Sequence, residues 1–295
     1  MTRRRRPVVT NFIALPHRGD PFYDEDIRKM AGHSLLHAMI ADVLPHFIEP
    51  EECRHVLELG TGTGITTGVL LDYAAGHMQL YTGIESDEHA IRTGLRRRLQ
   101  EARPLFQGRE NIVHGDYTEV SFQPPDVDMP IRYNLAAAVI GPHHQPGLEA
   151  KGWLLTDVFE NLDEGGVLLY GDFMEEQTPE ATRMMQRLHI ADMKRSFRSV
   201  PRERLVKWAG HHLTMNKPSG LNDQVELMTE IGYTVYNPLK VLTTTLLVGT
   251  KGVRAEPTRH DQEIDAFSQR VRDEFEPTRR ELERAYEVEV PKRGA

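Results

Sequence analysis

Val56-Leu57-Glu58-Leu59-Gly60-Thr61-Gly62-Thr63-Gly64 is the stretch on which the reading of this chain turns. A short apolar strand runs straight into three glycines at every second position. A tight strand-to-helix turn needs residues without Cβ where backbone and ligand approach closely. The dinucleotide fingerprint G-x-G-x-x-G would place its third glycine at position 65, and that residue is Ile65. The spacing therefore speaks against NAD. It suits a ligand that carries an amino-acid group and a nucleoside but no pyrophosphate.

Outward from this turn, short apolar runs alternate with amphipathic stretches. Runs 55–59, 79–85, 111–114, 133–140 and 166–172 read as strands, and 64–75, 87–102 and 150–162 read as helices. Such a β-α-β rhythm predicts a parallel sheet with helices on both faces. Segment 118–132 is rich in Pro and Asp, so a helix there is short or missing. Residues 174–220 are mostly helical and form an insertion after strand five. A capped helix over 222–231 stops at Gly232, and 233–240 with 243–248 read as two strands of an antiparallel hairpin. The expected fold is α/β: a Rossmann-like, seven-stranded, mostly parallel sheet with an antiparallel last strand. Three units are expected: an N-terminal arm and lid helix over 1–50, a ligand-binding domain over 51–251, and a charged helical extension over 252–295.

The ends and the composition bound the function. In the arm, Ile27, Met30, Leu35, Leu36, Met39, Ile40, Val43 and Leu44 give a helical apolar stripe that Pro45 and Pro50 close. In the extension, Ile264, Phe267, Val271 and Phe275 recur at helical spacing and offer a surface for a homodimer through the terminal helices. The net charge of -8 over 295 residues argues against a grip on nucleic acid through phosphates. The basic start, Arg3 to Arg6, reads as a solvated end. No stretch reaches the ~20 apolar residues of a membrane span. One cysteine, Cys53, excludes a disulfide framework and a multi-cysteine zinc site within the chain, and fits a reducing cytoplasm.

With the turn, the strands and the acidic residues placed, the chain resembles the class I S-adenosylmethionine (SAM)-dependent methyltransferases of small-molecule type. Glu58-Leu-Gly60-Thr61-Gly62-Thr-Gly64 is similar to that family's motif I. The resemblance implies that the glycine backbone lies against the methionine part and ribose of SAM, and that Glu58 helps hold the amino-acid part. It implies a carboxylate at the end of strand two for the ribose hydroxyls, matched by Glu85 with Ser86 beside it. It implies an acidic partner for the adenine amino group after strand three, matched by Asp116, with Tyr117 flanking the ring. Asp87 reads as the N-cap of the next helix.

The reaction is less legible. Strand four ends in Gly141-Pro142-His143-His144-Gln145, where family members of small-molecule type carry a His-His-Leu-like run, and Asn134 replaces the aspartate common at the strand's start. Methyl transfer from a sulfonium needs alignment above all, and a base only where the acceptor loses a proton. The resemblance makes His143, His144, Asn134 and Tyr23 the candidate catalytic residues. Tyr23 belongs to an arm that would close over SAM. Asp172, ending strand five, binds a substrate amine or caps the next helix. His211 and His212 read as a solvated surface pair, with the alternative that one of them reaches the substrate cavity from the inserted helices, and no metal is expected. Three reactions remain open: methyl transfer to a small molecule at O, N or C; use of SAM without methyl transfer, as in cyclisation of its aminobutyrate chain with release of methylthioadenosine; and methylation of a macromolecule. The Asn-Pro-Pro-Tyr-type run of amino-group enzymes is absent from strand four.

Overall fold

A computed structural model describes residues 32–127, 129–196, 200–214, 216–252 and 257–270. Helix α1 (His33–Phe47) leads through a 3-10 turn (Pro50–Glu52) into β1 (His55–Leu59), α2 (Ile65–Ala74) and β2 (Leu80–Glu85). Then come α3 (Glu88–Ala90), a π turn (Ile91–Leu95), α4 (Arg96–Ala102), β3 (Arg109–His114) and β4 (Tyr133–Val139). A 3-10 turn (Pro142–His144) precedes α5 (Gly147–Asn161), β5 (Leu162–Glu175), α6 (Pro179–Ser196) and α7 (Arg202–Thr214). The chain continues with β6 (Ser219–Gly220), α8 (Leu221–Ile231), β7 (Tyr233–Val241) and β8 (Thr244–Lys251). A further helical stretch covers 259–270.

The sheet order is β3-β2-β1-β4-β5-β8-β7, with β6 paired to β5. β1 to β5 run parallel, while β8 is antiparallel to both β5 and β7. The Rossmann-like sheet is therefore as expected, with one addition: the two-residue β6 makes it eight-stranded. Its inner strands β1, β2, β4 and β8 are buried on both faces, as in parallel sheets covered by helices, while the edge strands β3 and β7 are partly exposed. Period-two alternation sorts the side chains. Val56, Tyr81, Leu135, Ala137 and Val139 face one core with Leu36, Ile40, Leu70 and Leu95. Leu57, Leu59, Ala136, Ala138 and Leu168 face the other with Leu154, Val158 and Met228. Each fully buried Leu or Ile contributes about 1.5–3 kcal/mol, so these two layers dominate the driving force.

Four local readings are corrected. Pro45 does not end α1, which runs on to Phe47 with Pro45 inside it. The backbone bond lost to proline falls in the last turn, where burial of Leu44 and Ile48 on either side compensates. The helix expected over 87–102 is interrupted by the π turn, which lets Gly94 descend onto the glycine turn. A Cβ on Gly94 would stand 2.5 Å from Thr63 Cβ. β5 extends well beyond 166–172, because its far end has β6 and β8 to pair with. Finally, the described part of the arm is core: Leu36, Ile40 and Leu44 are fully buried, and His37 Nε2 lies 3.0 Å from Thr66 Oγ1 at the start of α2. The lid role of the arm, with Ile27, Met30 and Tyr23, lies outside the described residues, as do Val271 and Phe275 of the terminal stripe. Among the described residues no helix is long and apolar enough to cross a membrane.

Candidate active site

The carboxyl ends of β1, β2, β4 and β5 meet at one edge of the sheet. There, Gly60, Gly62 and Gly64 all adopt left-handed φ, between 52° and 82°, a conformation that costs an L-residue roughly 1–2 kcal/mol. Gly60 N–H and Thr61 N–H donate to Ile84 O, at 2.8 and 3.2 Å, and pin the turn to β2. A Cβ added to Gly62 would meet nothing within 4 Å among the described residues. The side of the turn that faces away from the sheet is thus open, a cradle bounded by backbone.

Glu85 stands at the rim of that cradle. Its Oε2 accepts from Gly62 N–H at 2.6 Å, and its Oε1 from Asp87 N–H at 2.8 Å. Burial pushes its carboxyl upward, against the two backbone donors that favour the charge. Ser86 Oγ donates to Glu85 Oε1 at 3.3 Å. Asp87 caps α3, accepting from His89 N–H and Ala90 N–H. Oε1 thus has two donors, while Oε2 keeps one acceptor direction beyond its bond from Gly62. Thr61 Oγ1, buried in the turn, has no hydrogen-bond partner. Arg98, which the sequence reading missed, reaches from α4 to donate through Nε to Thr63 O at 3.1 Å.

Glu58 lies deeper. Its Oε2 accepts from Thr67 Oγ1 at 2.8 Å and from Tyr81 OH at 2.6 Å. The group is 2% exposed. Burial raises its pKa to about 7, against these two donors and with help from the charge of Glu85. Its present partners are thus interior ones.

Asp116 and Tyr117 follow β3. Asp116 Oδ1 accepts from both Thr118 N–H and Thr118 Oγ1 at 2.9 Å. Tyr117 turns toward the glycine turn: a Cβ on Gly60 would lie 3.6 Å from its ring. Its hydroxyl donates to Gly141 O at 3.2 Å and accepts from Gln145 Nε2 at 3.3 Å. Tyr117 therefore ties the end of β3 to the end of β4 across the first glycine.

After β4 the chain turns sharply. Ile140 has φ 52°, an outlier for a β-branched residue, and its N–H is held by Gly171 O at 2.7 Å. This delivers His143 and His144. His143 Nδ1 lies 2.5 Å from Asp172 Oδ1, with both side chains 2% exposed. Burial pushes Asp172 up to about 7, opposed by the nearby Lys151 ammonium, and pushes His143 well below its ordinary range. Asp172 also accepts from Phe173 N–H, so of its two expected roles neither is the one its bonds show: it orients His143.

Asn134 is not part of this edge. It sits at the opposite end of β4, where its Oδ1 accepts from His55 N–H at 3.1 Å. Five residues separate it from Val139, roughly 16 Å at the rise of a strand. This corrects its assignment to the chemistry: its bond aligns β1 with β4.

The largest correction concerns α6 and α7. His211 and His212 are buried, at 9% and 8% exposure, because the insertion folds onto the same edge. Met193 and Trp208 pack with Ile65, the residue that follows the third glycine. His144 and His211 rings lie 5.3 Å apart, and His189 stacks on His212 at 4.2 Å. Burial lowers His211 and His189 to about 4 and His212 to about 3. Lys151, which the sequence reading did not single out, is 1% exposed. Its Nζ donates to Lys217 O at 2.5 Å and to Ser219 Oγ at 2.6 Å. The helical spacing of 211 and 212 gave no signal of burial, since the apolar face of α7 is narrow.

No family model and no curated protein sequence matches the chain. Among solved structures it is similar to the CurJ carbon methyltransferase, at 16% identity over 81% of this chain and 61% of that one, with a TM-score of 0.54. It is similar to an O-methyltransferase family protein from Burkholderia thailandensis, at 15% identity over 80% of this chain and 59% of that one, TM-score 0.52. It is also similar to a possible exported protein from Bordetella parapertussis, at 16% identity over 76% of this chain and 69% of that one, TM-score 0.55. The chain thus spans about three fifths of the two methyltransferases. At these identities the likeness is one of fold, and the fold is that of the class I SAM-dependent methyltransferases.

Proposed function

We propose that the protein is a SAM-dependent methyltransferase for a small-molecule acceptor. The observation that carries this reading is the open backbone cradle at Gly62 with the Glu85 carboxylate at its rim. The residues fit SAM on three counts. Among the described residues no side chain fills the cradle. Glu85 retains an acceptor direction on Oε2 suited to a ribose hydroxyl. Thr61 carries a buried hydroxyl that lacks a partner.

In this reading Gly60, Thr61, Gly62 and Gly64 receive the methionine part and ribose, Glu85 with Ser86 the ribose hydroxyls, and Asp116 the adenine amino group. Glu58 acts on the amino-acid part through the Thr67–Tyr81 network and not by open contact. When bound, SAM supplies a methyl group on a sulfonium, already activated for in-line displacement. The protein's own task is to align, to exclude water and to deal with the acceptor's proton. Trp208 and Met193, packed over Ile65, cover the edge. Tyr117 holds Gly141 and Gln145 at a fixed distance from the glycine turn. The acceptor enters beside His144, which is partly exposed, while His143 is sealed. An imidazole as deeply buried as His143 is a weak base at neutral pH, so its part is positional.

Calorimetry with SAM tests the reading. Wild type binds, while Glu85→Ala and Gly62→Arg weaken binding at least tenfold. Unchanged affinity in both sinks the SAM assignment. With SAM bound, S-adenosylhomocysteine that appears only when an acceptor is supplied supports transfer. Methylthioadenosine formed from SAM alone means cyclisation of its chain instead.

A further inference from the structure

Five histidines from three separate segments converge beyond β4 and β5, and the proposed SAM chemistry uses only the neighbourhood of one. The ring centroids of His143 and His144 are 4.0 Å apart, and those of His144 and His211 are 5.3 Å apart. One ring nitrogen from each of His143, His144 and His211 lies within 4.8 Å of the other two. A neutral imidazole offers one ring nitrogen as a metal ligand, and three such nitrogens this close suit a single divalent cation.

We propose that His143, His144 and His211 bind a transition-metal ion of the zinc class, with a fourth position left open. Imidazole sets of this kind suit zinc, and also cobalt, nickel and copper. Three protein ligands with one open position is the arrangement of catalytic rather than structural zinc. Tetrahedral coordination at about 2.0–2.1 Å sets ligand nitrogens roughly 3.3–3.4 Å apart, so the three rings draw inward on binding.

The surroundings fit this role. His143 has its Nδ1 engaged by Asp172 and contributes its other nitrogen. A carboxylate behind a ligating histidine fixes the ring and raises its donor strength. Asp172 is thereby a positioning residue and not a fourth ligand. Lys217 N–H donates to His143 O at 2.6 Å, which fastens the turn from behind. The nearest ligand in sequence, His143, lies two positions from Gly141, whose Cα is 4.0 Å from the place of a Cβ on Gly60. Resting on the methyl-transfer reading, the open position takes an acceptor's hydroxyl and lowers its pKa, leaving the oxygen lone pairs for attack. The acceptor class is then a small alcohol or phenol.

The test uses the full-length chain without an affinity tag, stripped with a chelator and titrated with Co2+ and with Zn2+ in the absence of SAM. One equivalent of Co2+ is expected, with the visible absorption of tetrahedral cobalt, and Zn2+ displaces it. His144→Gln and His211→Gln each weaken Zn2+ binding by roughly 100-fold or more. Asp172→Asn weakens it 10- to 100-fold. His46→Gln, at the distant contact with Asp261, leaves it unchanged. His144 is only partly buried, so its variant keeps the fold and carries the test should Asp172→Asn not fold. Absence of saturable one-equivalent binding overturns the proposal. So does wild-type affinity in both His144→Gln and His211→Gln. SAM calorimetry on the stripped protein reports separately, so failure of the metal site and failure of the SAM reading are distinct results.

Discussion

Replacing Glu58 with glutamine separates the cost of a buried charge from the bonds that hold it. Glu58 is fully enclosed, and burial raises its pKa from 4.5 to about 7. A carboxyl whose folded pKa lies above its unfolded pKa binds the proton more tightly when folded. Its favourable contribution is complete below pH 4.5 and is lost as pH rises to about 7. At 1.36 kcal/mol per pKa unit, the full loss is about 3 kcal/mol. Between pH 5 and pH 8 it amounts to about 2.5 kcal/mol. Glutamine keeps an acceptor for Thr67 and Tyr81 but does not titrate. Urea denaturation of wild type and Glu58→Gln at pH 5, 6, 7 and 8 gives the difference directly, since groups common to both chains largely cancel. The variant should gain on wild type by about 2–3 kcal/mol from pH 5 to pH 8, with most of the change below pH 7. A constant offset in the amide's own bonding drops out of the slope. A flat difference across that range refutes the assignment of the raised pKa to Glu58.

Three further expectations concern the same edge of the sheet. Gly94→Ala places a Cβ 2.5 Å from Thr63 Cβ and 2.6 Å from Thr63 O, so the π turn must retreat; denaturation should show a loss of about 1–3 kcal/mol, and calorimetry a weaker affinity for SAM although position 94 lacks any side chain to contact it. Tyr117→Phe removes the hydroxyl that links Gly141 and Gln145; the stability cost should be about 1 kcal/mol, and turnover should fall by more than that cost explains. Zinc at a hundredfold excess over its dissociation constant should stabilise the stripped protein by about 2.7 kcal/mol, read as a raised denaturation midpoint, and His144→Gln should abolish the gain.

The fold was legible because its signals are local. Val56 to Gly64 carries a buried strand, its turn and the start of a helix in nine residues, and Glu85 and Asp116 fall in register because parallel strands share one carboxyl edge. Asp87 announces its cap by chemistry that acts two and three residues away. What was not legible depends on packing over long separations. His211 reads as surface because nothing near it in sequence shows that Trp208 and Met193 will pack α6 and α7 onto Ile65. Lys151 gives no local signal because its partners, Lys217 and Ser219, are over sixty residues away. Asn134 was misplaced for a different reason: a motif gives residue types, while the end of the strand on which a residue stands decides what it can reach.

Ile140 connects the two halves of this edge. A β-branched residue held at φ 52° costs of order 1–3 kcal/mol, and a glycine would relieve it. The bond from its N–H to Gly171 O keeps the turn in place despite that cost. The consequence is directional. A relaxed exit from β4 would carry residues 141–145 along the strand axis, away from β1. The strained exit folds them back, so that Gly141 faces Gly60 while His143 reaches Asp172 on β5. One backbone conformation thereby sets the distance between the cradle proposed for SAM and the histidines proposed for the metal. Displacement reactions are sensitive to such distances, since misplacement by about 1 Å can cost a hundredfold in rate. Strain of a few kcal/mol at most is a small cost beside that loss, and it supports reading the turn as a spacer between two reactants.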